Sequence, residues 1–466
     1  MKQKNKNFLY NAVYQIFIFI IPMILTPYIS RVLGVNNIGI YSYAYSVISY
    51  FMLATLLGIN NYGSRNIAKI SKNKGNMSEE FCSIYYLQLI IGTLMLIIYN
   101  LFCYFIIEEN KNIFYLQNIF LISAIIDINW FYFGIEKFKI TISRNIIIKV
   151  FSIILVFIFV KENTDLWKYT LIMGASTLIS QLYLWIFIHK YVKFKKLPIK
   201  RILINLKPCI ILFIPVLSYS VYRIMDKTML GAISGTVDLG YYENAEKIIN
   251  IPVSFVTALG TVMIPYMSKF DEKDKENINN NMMESFKLCF TFVMPMIFGL
   301  LAISKDFAIV FFGNEFNISG IIIKVLLPTI LFSSIANVIR TNYLIPQGQD
   351  KIYVTSTVIG AILNLIFNII LIPKYSYYGA CIGTIIAEFF VMFYQIVKTK
   401  KQIEYKKLFS ILFEYILKSI VMFAIIEIIG QFIININYRI LIQIIAAVLV
   451  YFFLNYKYIR YEFLGK

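Results

Sequence analysis

The sequence predicts an all-α integral membrane protein with about fourteen transmembrane helices. Of its 466 residues, 59% are hydrophobic and only 15% are charged, and the mean hydropathy is +0.71. A bilayer core about 30 Å thick requires roughly 20 apolar residues per helix, and such runs follow one another from Phe8 to Tyr456. We place the predicted spans at approximately 8–30, 40–62, 82–107, 112–135, 140–160, 167–189, 208–231, 246–267, 286–304, 321–340, 352–373, 377–397, 408–431 and 438–456.

The distribution of lysine and arginine predicts the orientation of these helices. The chain carries 44 Lys and Arg residues against 25 Asp and Glu residues, a formal charge of +19. With the N-terminus inside, the segments on the cytoplasmic side, among them 137–149 and 190–207, contain about 32 basic residues, and the other side contains about 8. The charge is therefore mainly a topology signal, not a nucleic-acid-binding surface. Both termini are predicted to be cytoplasmic.

No cleaved leader, metal site or cofactor is predicted. The first apolar stretch contains Pro22 and Pro27 and ends at Ser30-Arg31 without a small-residue cleavage pattern, so we expect a retained helix. The 5 cysteines are dispersed and form no Cys-x-x-Cys pair. The sequence also lacks the Gly-x-x-x-x-Gly-Lys-[Ser/Thr] phosphate loop of ATP-driven proteins.

Two collinear matches predict an internal repeat with a spacing of about 200 residues. In the second match, residues 134–141 resemble residues 348–355. The first match pairs Leu33-Gly34, Gly39, Tyr41, Ala44 and Leu57-Gly58 with Leu230-Gly231, Gly240, Tyr242, Ala245 and Leu259-Gly260, with about four extra residues in the second turn.

The repeat predicts three parts: an N-terminal six-helix bundle (1–207), a C-terminal six-helix bundle (208–405) and two additional transmembrane helices (406–466). Because each copy has an even number of spans, the bundles should be related by a pseudo-two-fold axis along the membrane normal. Two such bundles would enclose a cavity that opens alternately to each side of the membrane. The loops are at most about twenty residues long, which disfavours an enzyme with an external catalytic domain.

Several short segments occur in a characteristic order along nearly the whole chain. They are residues 27–34 (PYISRVLG), 61–69 (NYGSRNIAK), 127–136 (DINWFYFGIE), 226–231 (DKTMLG), 240–242 (GYY), 345–348 (IPQG) and 383–388 (GTIIAE). The ordered set resembles the polysaccharide repeat-unit flippases of the Wzx type, in the superfamily that also contains multidrug exporters and lipid-linked peptidoglycan precursor flippases.

The resemblance implies a flippase of the bacterial cytoplasmic membrane with a core of two helical bundles and two further helices. Its substrate would be an oligosaccharide repeat unit linked through pyrophosphate to undecaprenol, moved from the inner to the outer leaflet. The implied energy source is an ion gradient, of protons or sodium ions, or the membrane potential. Membrane lipids and other polysaccharide-assembly proteins are the further partners that the resemblance implies.

Basic residues in or beside the spans are candidates for substrate binding, because an ionised group in lipid costs roughly 2.5–3.5 kcal/mol unless it is paired or hydrated. Arg223 and Lys227 share one face of the seventh span, close to Asp226. They could bind pyrophosphate or form a structural ion cluster at the interface. Arg31 and Arg65 end the first two spans on opposite faces, where each could contact phosphate or anchor the helix.

Acidic residues in the spans are candidates for ion coupling. Asp127 lies deep in the fourth span without a basic neighbour one helical turn away, and Glu388 lies deep in the twelfth span. Each could couple transport to a proton or cation, or form an interhelical hydrogen bond in its protonated state. Glu246 opens the eighth span beside Lys247 and could reach the cavity mouth, and Asp226 is the fourth candidate.

Asn364 and Asn368 share a face of the eleventh span, where they could bind sugar hydroxyls or join neighbouring helices. The alternative function is a multidrug or small-solute cation antiporter of the same architecture. Its cavity should be lined by acidic residues. A membrane glycosyltransferase or polymerase would require a large outward-facing catalytic loop, which the sequence does not contain.

Overall fold

The computed structural model describes residues 2–70, 74–270, 274–456 and 460, and these residues form helices and short connections. Some side chains within these ranges are not described, namely those of 2–22, 74, 75, 138, 139, 214, 215, 218, 219, 221, 222, 262 and 265. The predicted cytoplasmic charges at 2–6 and 457–466 therefore lie outside the described side chains, apart from Arg460. The helices are α1 Lys2–Leu56, α2 Ile59–Ile70, α3 Lys74–Phe105, α4 Lys111–Ile125, α5 Asn129–Gly134, α6 Phe138–Phe159, α7 Leu166–Ile188, α8 Ile199–Leu203, α9 Leu206–Ile233, α10 Thr236–Met267, α11 Lys275–Phe312, α12 Asn317–Ile339, α13 Asp350–Tyr375, α14 Tyr377–Thr399, α15 Tyr405–Gln431 and α16 Ile436–Leu454.

These helices correspond to fourteen predicted spans. Helix α1 contains two spans joined at Gly34, α2 extends the second, α4 and α5 together form the fourth, and α8 lies in a connection. By length and hydropathy, 11 helical stretches in the described residues could cross a membrane. The other three are α9, α10 and the part of α1 that precedes Gly34. The predicted fold class and helix count are therefore confirmed.

A glycine in an unusual conformation marks the first turn of each repeat. Gly34 has φ 74° and ψ 174°, and Gly235 has φ 97° and ψ 173°. This backbone region is essentially restricted to glycine. Each glycine is followed five residues later by the next glycine of the motif, Gly39 or Gly240. The prediction that Gly231 corresponds to Gly34 was wrong, because Gly231 lies within α9 and Gly235 forms the turn.

The chain divides into two compact units, Met1–Ala232 and Ile233–Lys466. The first unit contains α1 to α8 and nearly all of α9. The second contains α10 to α16, and within it both additional helices, α15 and α16, pack against α11. The boundaries predicted at 207/208 and 405/406 were drawn between sequence repeats, whereas the boundary at 232/233 separates compact units. The two predicted boundaries therefore stay predictions.

A buried aromatic cluster fixes the fourth span of the first unit. Trp130 and Phe131 of α5 are fully buried, and the ring centroids of Phe81 and Trp130 lie 5.4 Å apart. Gly63 of α2 lies directly against the indole of Trp130, because a Cβ at this glycine would be 2.5 Å from the ring atom Cε3. Helix α5 is thereby held between α2 and α3.

Candidate functional site

The fourth span of the first unit is interrupted at residues 126–128, between α4 and α5. Gln88 of α3, which is fully buried, donates from Nε2 to the carbonyl oxygens of Ala124 and Asp127, each at 2.8 Å. Its Oε1 accepts a hydrogen bond from Nε1 of Trp130 at 3.1 Å. One glutamine thus satisfies main-chain carbonyls that the interruption releases from helical hydrogen bonds.

Asp127 lies at this interruption in a network with a buried arginine. Its Oδ1 accepts hydrogen bonds from the backbone N–H of Asn129 at 2.8 Å and from Nδ2 of Asn129 at 2.7 Å. Arg144 of α6, only 4% exposed, donates from Nη2 to Oδ1 of Asn129 at 3.1 Å and to Oδ1 of Asn145 at 2.7 Å. Oε1 of Gln181 in α7 accepts from Nδ2 of Asn129 at 3.2 Å. We call these five residues the arginine cluster.

The arginine cluster changes two inferences from the sequence. Arg144 was counted with the cytoplasmic charges of 137–149, whereas it lies within the membrane-spanning helix Ile140–Phe159. Asp127 has no basic neighbour one helical turn away, but Asn129 connects it by hydrogen bonds to Arg144 of another helix. Spacing along one helix cannot detect such a pair. The sequence feature that could have indicated the cluster is Arg144-Asn145, a polar pair that interrupts an otherwise apolar run.

The basic residues of the seventh span lie on α9. Asp226 is 6% exposed, whereas Arg223 and Lys227 are half-buried, and all three interact with neighbouring groups. The adjacent Thr228 donates a hydrogen bond to Oγ of Ser46 in α1 at 3.0 Å, so this part of α9 packs on the second span. This placement is compatible with both a phosphate-binding surface and a structural ion cluster.

The remaining basic candidates are at the surface of the first unit. Arg31 in α1 and Arg65 in α2 are both exposed, and Arg65 has no ion pair within the described residues. In the second unit, Glu246 of α10 is half-buried and interacts with neighbouring groups. The adjacent Lys247 pairs with Glu243, with Nζ and Oε1 3.4 Å apart.

The polar candidates of α13 and α14 differ in their surroundings. Asn364 and Asn368 are fully buried, Nδ2 of Asn368 donates to Oδ1 of Asn364 at 3.2 Å, and Gly383 of α14 packs directly against Asn368. This packing favours the structural interpretation of both asparagines. Glu388 lies near the middle of α14, is half-buried, and has no hydrogen bond or ion pair in the part of the chain that the structure describes.

The second unit has a different irregularity at the corresponding place. At the spacing that relates Gly134 to Gly348, Asp127 corresponds to Thr341, which lies in a π-helical turn, Arg340–Leu344. The backbone N–H of Ile345 donates to the carbonyl of Arg340 at 2.9 Å. The turn therefore satisfies this carbonyl by a backbone hydrogen bond.

The second unit also contains a cavity of about 660 Å³ with a mainly hydrophobic lining. We call it the apolar cavity. Helices α10, α11, α15 and α16 line it, and no lining residue is charged. Pro295 and Gly299 of α11 form part of its wall, opposite Met422 of α15 and Val448 of α16. The side-chain amide of Gln443 is among its few polar groups, and it donates to the carbonyl of Ile426 at 2.9 Å.

Comparisons with solved structures agree with this architecture. The chain is similar to the structure titled "Lipid II flippase MurJ, inward closed conformation", with a TM-score of 0.79, 20% identity, and coverage of 97% of this chain and 99% of that one. An inward-facing multidrug resistance MATE family transporter gives a TM-score of 0.62 at 14% identity, covering 87% and 95% of the two chains. At these identities, the likeness shows a shared fold.

Sequence comparisons define the family. The model of the family described as "Polysaccharide biosynthesis protein" matches residues 5–271. A relative from Shigella dysenteriae named "Putative O-antigen transporter" is 23% identical over 392 residues, covering 82% of this chain and 96% of that protein. "Lipid II flippase MurJ" of Bacillus subtilis is 25% identical over 163 residues, which cover 34% of this chain and 30% of that protein. The resemblance to polysaccharide repeat-unit flippases is thus confirmed, and the chain belongs to the polysaccharide biosynthesis protein family.

Proposed function

We propose that this protein is a flippase that moves undecaprenyl-pyrophosphate-linked oligosaccharide repeat units from the inner to the outer leaflet of a bacterial cytoplasmic membrane. Alternating access would carry the substrate, driven by an ion gradient or the membrane potential, and both termini would be cytoplasmic. The family supports this proposal, as do relatives whose names refer to O-antigen transport and to lipid II.

The apolar cavity is the observation that carries the proposal. A cavity of about 660 Å³ has the size of a ligand site, and its lining offers a hydrocarbon chain contacts without desolvating any charge. A cationic drug, the substrate of the alternative antiporter, would require an acidic partner there. The lining contains none, which favours a substrate with an isoprenoid tail.

Arg223 and Lys227 are our candidates for binding the pyrophosphate. Guanidinium and ammonium groups form short, charge-assisted hydrogen bonds with phosphate oxygens. Asp226 lies beside them and would hold the two cations in place when no substrate is bound. The exposed Arg31 and Arg65 would contact phosphate only as the substrate enters or leaves.

Glu388 and Asp127 would have different parts in energy coupling. Glu388 has no partner within the described residues, so its carboxylate is available to bind and release a proton or a sodium ion. Asp127 already accepts two hydrogen bonds from Asn129, which in turn accepts one from Arg144. Its coupling role would therefore require rearrangement of the arginine cluster, as it would during a change of access. Asp226 and Glu246 remain secondary coupling candidates.

Gene deletion and complementation test the proposal. In the deletion strain, lipid-linked repeat units should accumulate facing the cytoplasm, and surface polysaccharide should be lost. Complementation with Glu388→Gln or the double variant Arg223→Gln, Lys227→Gln should fail at normal protein level. Glu427→Gln is the matched control, because this half-buried carboxylate of α15 also lacks a partner in the described residues. Normal polysaccharide without accumulation in the deletion strain would contradict the proposal.

A further inference from the structure

A second cavity in the second unit is chemically opposite to the apolar cavity. It has a volume of about 930 Å³ and lies between the start of α11 and the connection from α14 to α15. Its charged lining residues are five lysines and two glutamates: Lys275, Lys400, Lys401, Lys406, Lys407, Glu276 and Glu404. We call it the lysine cavity. Its net positive charge fits an anionic ligand.

Within the described residues, most of this positive charge is not neutralised by ion pairs. Lys407 pairs with Glu404, with Nζ and Oε2 2.6 Å apart. The other four lysines of the cavity form no ion pair within residues 274–456. All four are exposed, so their ammonium groups remain accessible to a bound ligand. Each is a donor of three hydrogen bonds, suited to phosphate oxygens.

The walls of the lysine cavity are held in place by buried hydrogen bonds. Asn279 of α11, 7% exposed, donates from Nδ2 to the carbonyl of Gln402 at 2.9 Å. Its Oδ1 accepts from the backbone N–H of Glu404 at 2.8 Å. The hydroxyl groups of Thr399 and Tyr405 are hydrogen-bonded at 2.5 Å. The connection that carries the lysines is therefore organised before any ligand binds, which reduces the entropy cost of binding.

The side chain of Gln402 favours a ligand that carries a hydroxyl group. Gln402 lines the lysine cavity, and its Oε1 is buried and has no hydrogen-bond partner in the described residues. A buried acceptor without a donor costs roughly 1–3 kcal/mol, and a hydroxyl group of a ligand would remove this cost. The chemistry required of a ligand is therefore a phosphate with a neighbouring hydroxyl.

The location identifies the source of such a ligand. The lysine cavity lies at the ends of membrane-spanning helices, where lipid headgroups are found, and on the side to which the lysine and arginine distribution assigns the cytoplasm. Basic pockets between helices on that side bind anionic headgroups. We propose that the lysine cavity binds the phosphoglycerol headgroup of phosphatidylglycerol from the inner leaflet. This proposal shares the predicted membrane orientation with the proposed function but does not depend on flippase activity.

Lipid retention by the purified full-length protein tests this proposal. Protein from nanodiscs containing equal amounts of phosphatidylglycerol and phosphatidylcholine is analysed by native mass spectrometry, with titration of phosphatidylglycerol. The triple variant Lys400→Gln, Lys401→Gln, Lys406→Gln should weaken phosphatidylglycerol binding on the order of 100-fold, since each lysine contributes about fivefold. Its elution profile and circular dichroism should match those of the wild type.

A second triple variant, which removes the same number of charges elsewhere, distinguishes binding at the lysine cavity from a general attraction of anionic lipids to basic residues. Lys193→Gln, Lys196→Gln, Lys200→Gln removes three exposed lysines of the α7–α9 connection, also on the predicted cytoplasmic side, and should retain phosphatidylglycerol. Gln402→Leu should remove the preference for phosphatidylglycerol over phosphatidic acid, which lacks the glycerol hydroxyls. Equal losses in the two triple variants would overturn the proposal. So would retention of undecaprenyl pyrophosphate at these lysines with no phosphatidylglycerol bound.

Discussion

The fourth span of the first unit and its counterpart in the second unit solve the same structural problem in different ways. In the first unit, the helix stops at Ile125 and resumes at Asn129, and the side chain of Gln88 satisfies the released carbonyls. In the second unit, α12 continues into the π-helical turn, Arg340–Leu344, where a backbone hydrogen bond is available. One irregularity depends on a side chain from another helix, and the other depends mainly on its own backbone.

The two places also differ in charge. The interruption in the first unit carries Asp127 and is joined to Arg144. In the second unit, the hydroxyl of Thr341 donates to neutral groups, the carbonyl of Asn337 at 2.8 Å and Oδ1 of Asn342 at 3.0 Å. A repeat can therefore keep a helix irregularity while only one copy acquires a hydrogen-bond network that contains charged side chains. We infer that the first unit is more sensitive to substitution at this position.

The largest expected effect comes from removing the cation of the arginine cluster. Arg144→Met leaves Asp127 without an opposite charge and removes two donors from the amides of Asn129 and Asn145. Removing donors from buried acceptors costs about 1–3 kcal/mol for each acceptor. The midpoint of thermal unfolding in detergent should fall sharply, and the level of protein in the membrane should drop.

The double variant Asp127→Asn, Arg144→Met provides the control. Because it removes both charges, it should be more stable than Arg144→Met alone. If the double variant is destabilised by the full sum of the two single variants, the charges do not interact and the comparison between units fails.

The next largest effect is expected at Gly58, whose substitution by alanine is compared with that of its repeat counterpart, Gly260. Gly58 has φ +73°, and a Cβ there would be 2.7 Å from the carbonyl oxygen of Cys209 and 2.9 Å from the backbone nitrogen of Phe213. Gly58→Ala should therefore cost about 2–3 kcal/mol in unfolding free energy, because backbone strain and overpacking add.

Gly260→Ala should cost less than Gly58→Ala. Gly260 lies within α10, where a Cβ would meet the side chains of Thr341 and Asn337, and where alanine raises helix propensity by about 1 kcal/mol. Thermal unfolding of both variants gives the comparison. A larger loss for Gly260→Ala would show that the positive φ and backbone contacts of Gly58 are not the more costly constraint.

Gln88→Leu tests whether the interruption depends on its side-chain hydrogen bonds. The substitution leaves the carbonyls of Ala124 and Asp127 and the indole N–H of Trp130 without their partner. We expect a loss of about 2 kcal/mol, within the range for buried unsatisfied groups. Hydrogen exchange measured by mass spectrometry should increase in a peptide spanning 120–135 and remain unchanged at 336–349. Equal exchange in both segments would refute the assigned role of Gln88.

The smallest effect is expected at the counterpart of Asp127. Thr341→Val keeps the shape of the side chain and removes a hydroxyl that donates to the carbonyl of Asn337 at 2.8 Å. The cost should be about 1 kcal/mol, the net value of one neutral hydrogen bond. A loss as large as that of Arg144→Met would mean that the two units are equally sensitive here.

The sequence predicted the features that depend on composition and order. Apolar runs were sufficient for the fold class and helix count, because each span must satisfy its own backbone in lipid. The repeat was visible in residues 134–141 and 348–355. The counterpart of Gly34 was misplaced, because Leu33-Gly34 and Leu230-Gly231 share letters, whereas the required property is the backbone conformation that Gly235 adopts.

The arginine cluster could not be predicted, because it joins side chains from three separate spans. Arg144 lies close to the start of an apolar run, and charge counting assigns such a residue to the nearest loop. The lysine cavity was hidden for a related reason. Its lysines were recognised only as topology signals, since the hydrogen bonds of Asn279 that organise them connect residues more than 100 positions apart.

A reconstituted flipping assay tests the central claim most directly. The purified protein is incorporated into liposomes with an undecaprenyl-pyrophosphate oligosaccharide that carries a fluorescent label on the sugar, and a membrane-impermeant reductant quenches the label outside. With an imposed ion gradient, the wild-type protein should make the inner-leaflet label accessible, whereas Glu388→Gln should leave it protected. If the label stays protected with the wild-type protein while the same liposomes exchange a cationic drug, the flippase proposal is contradicted.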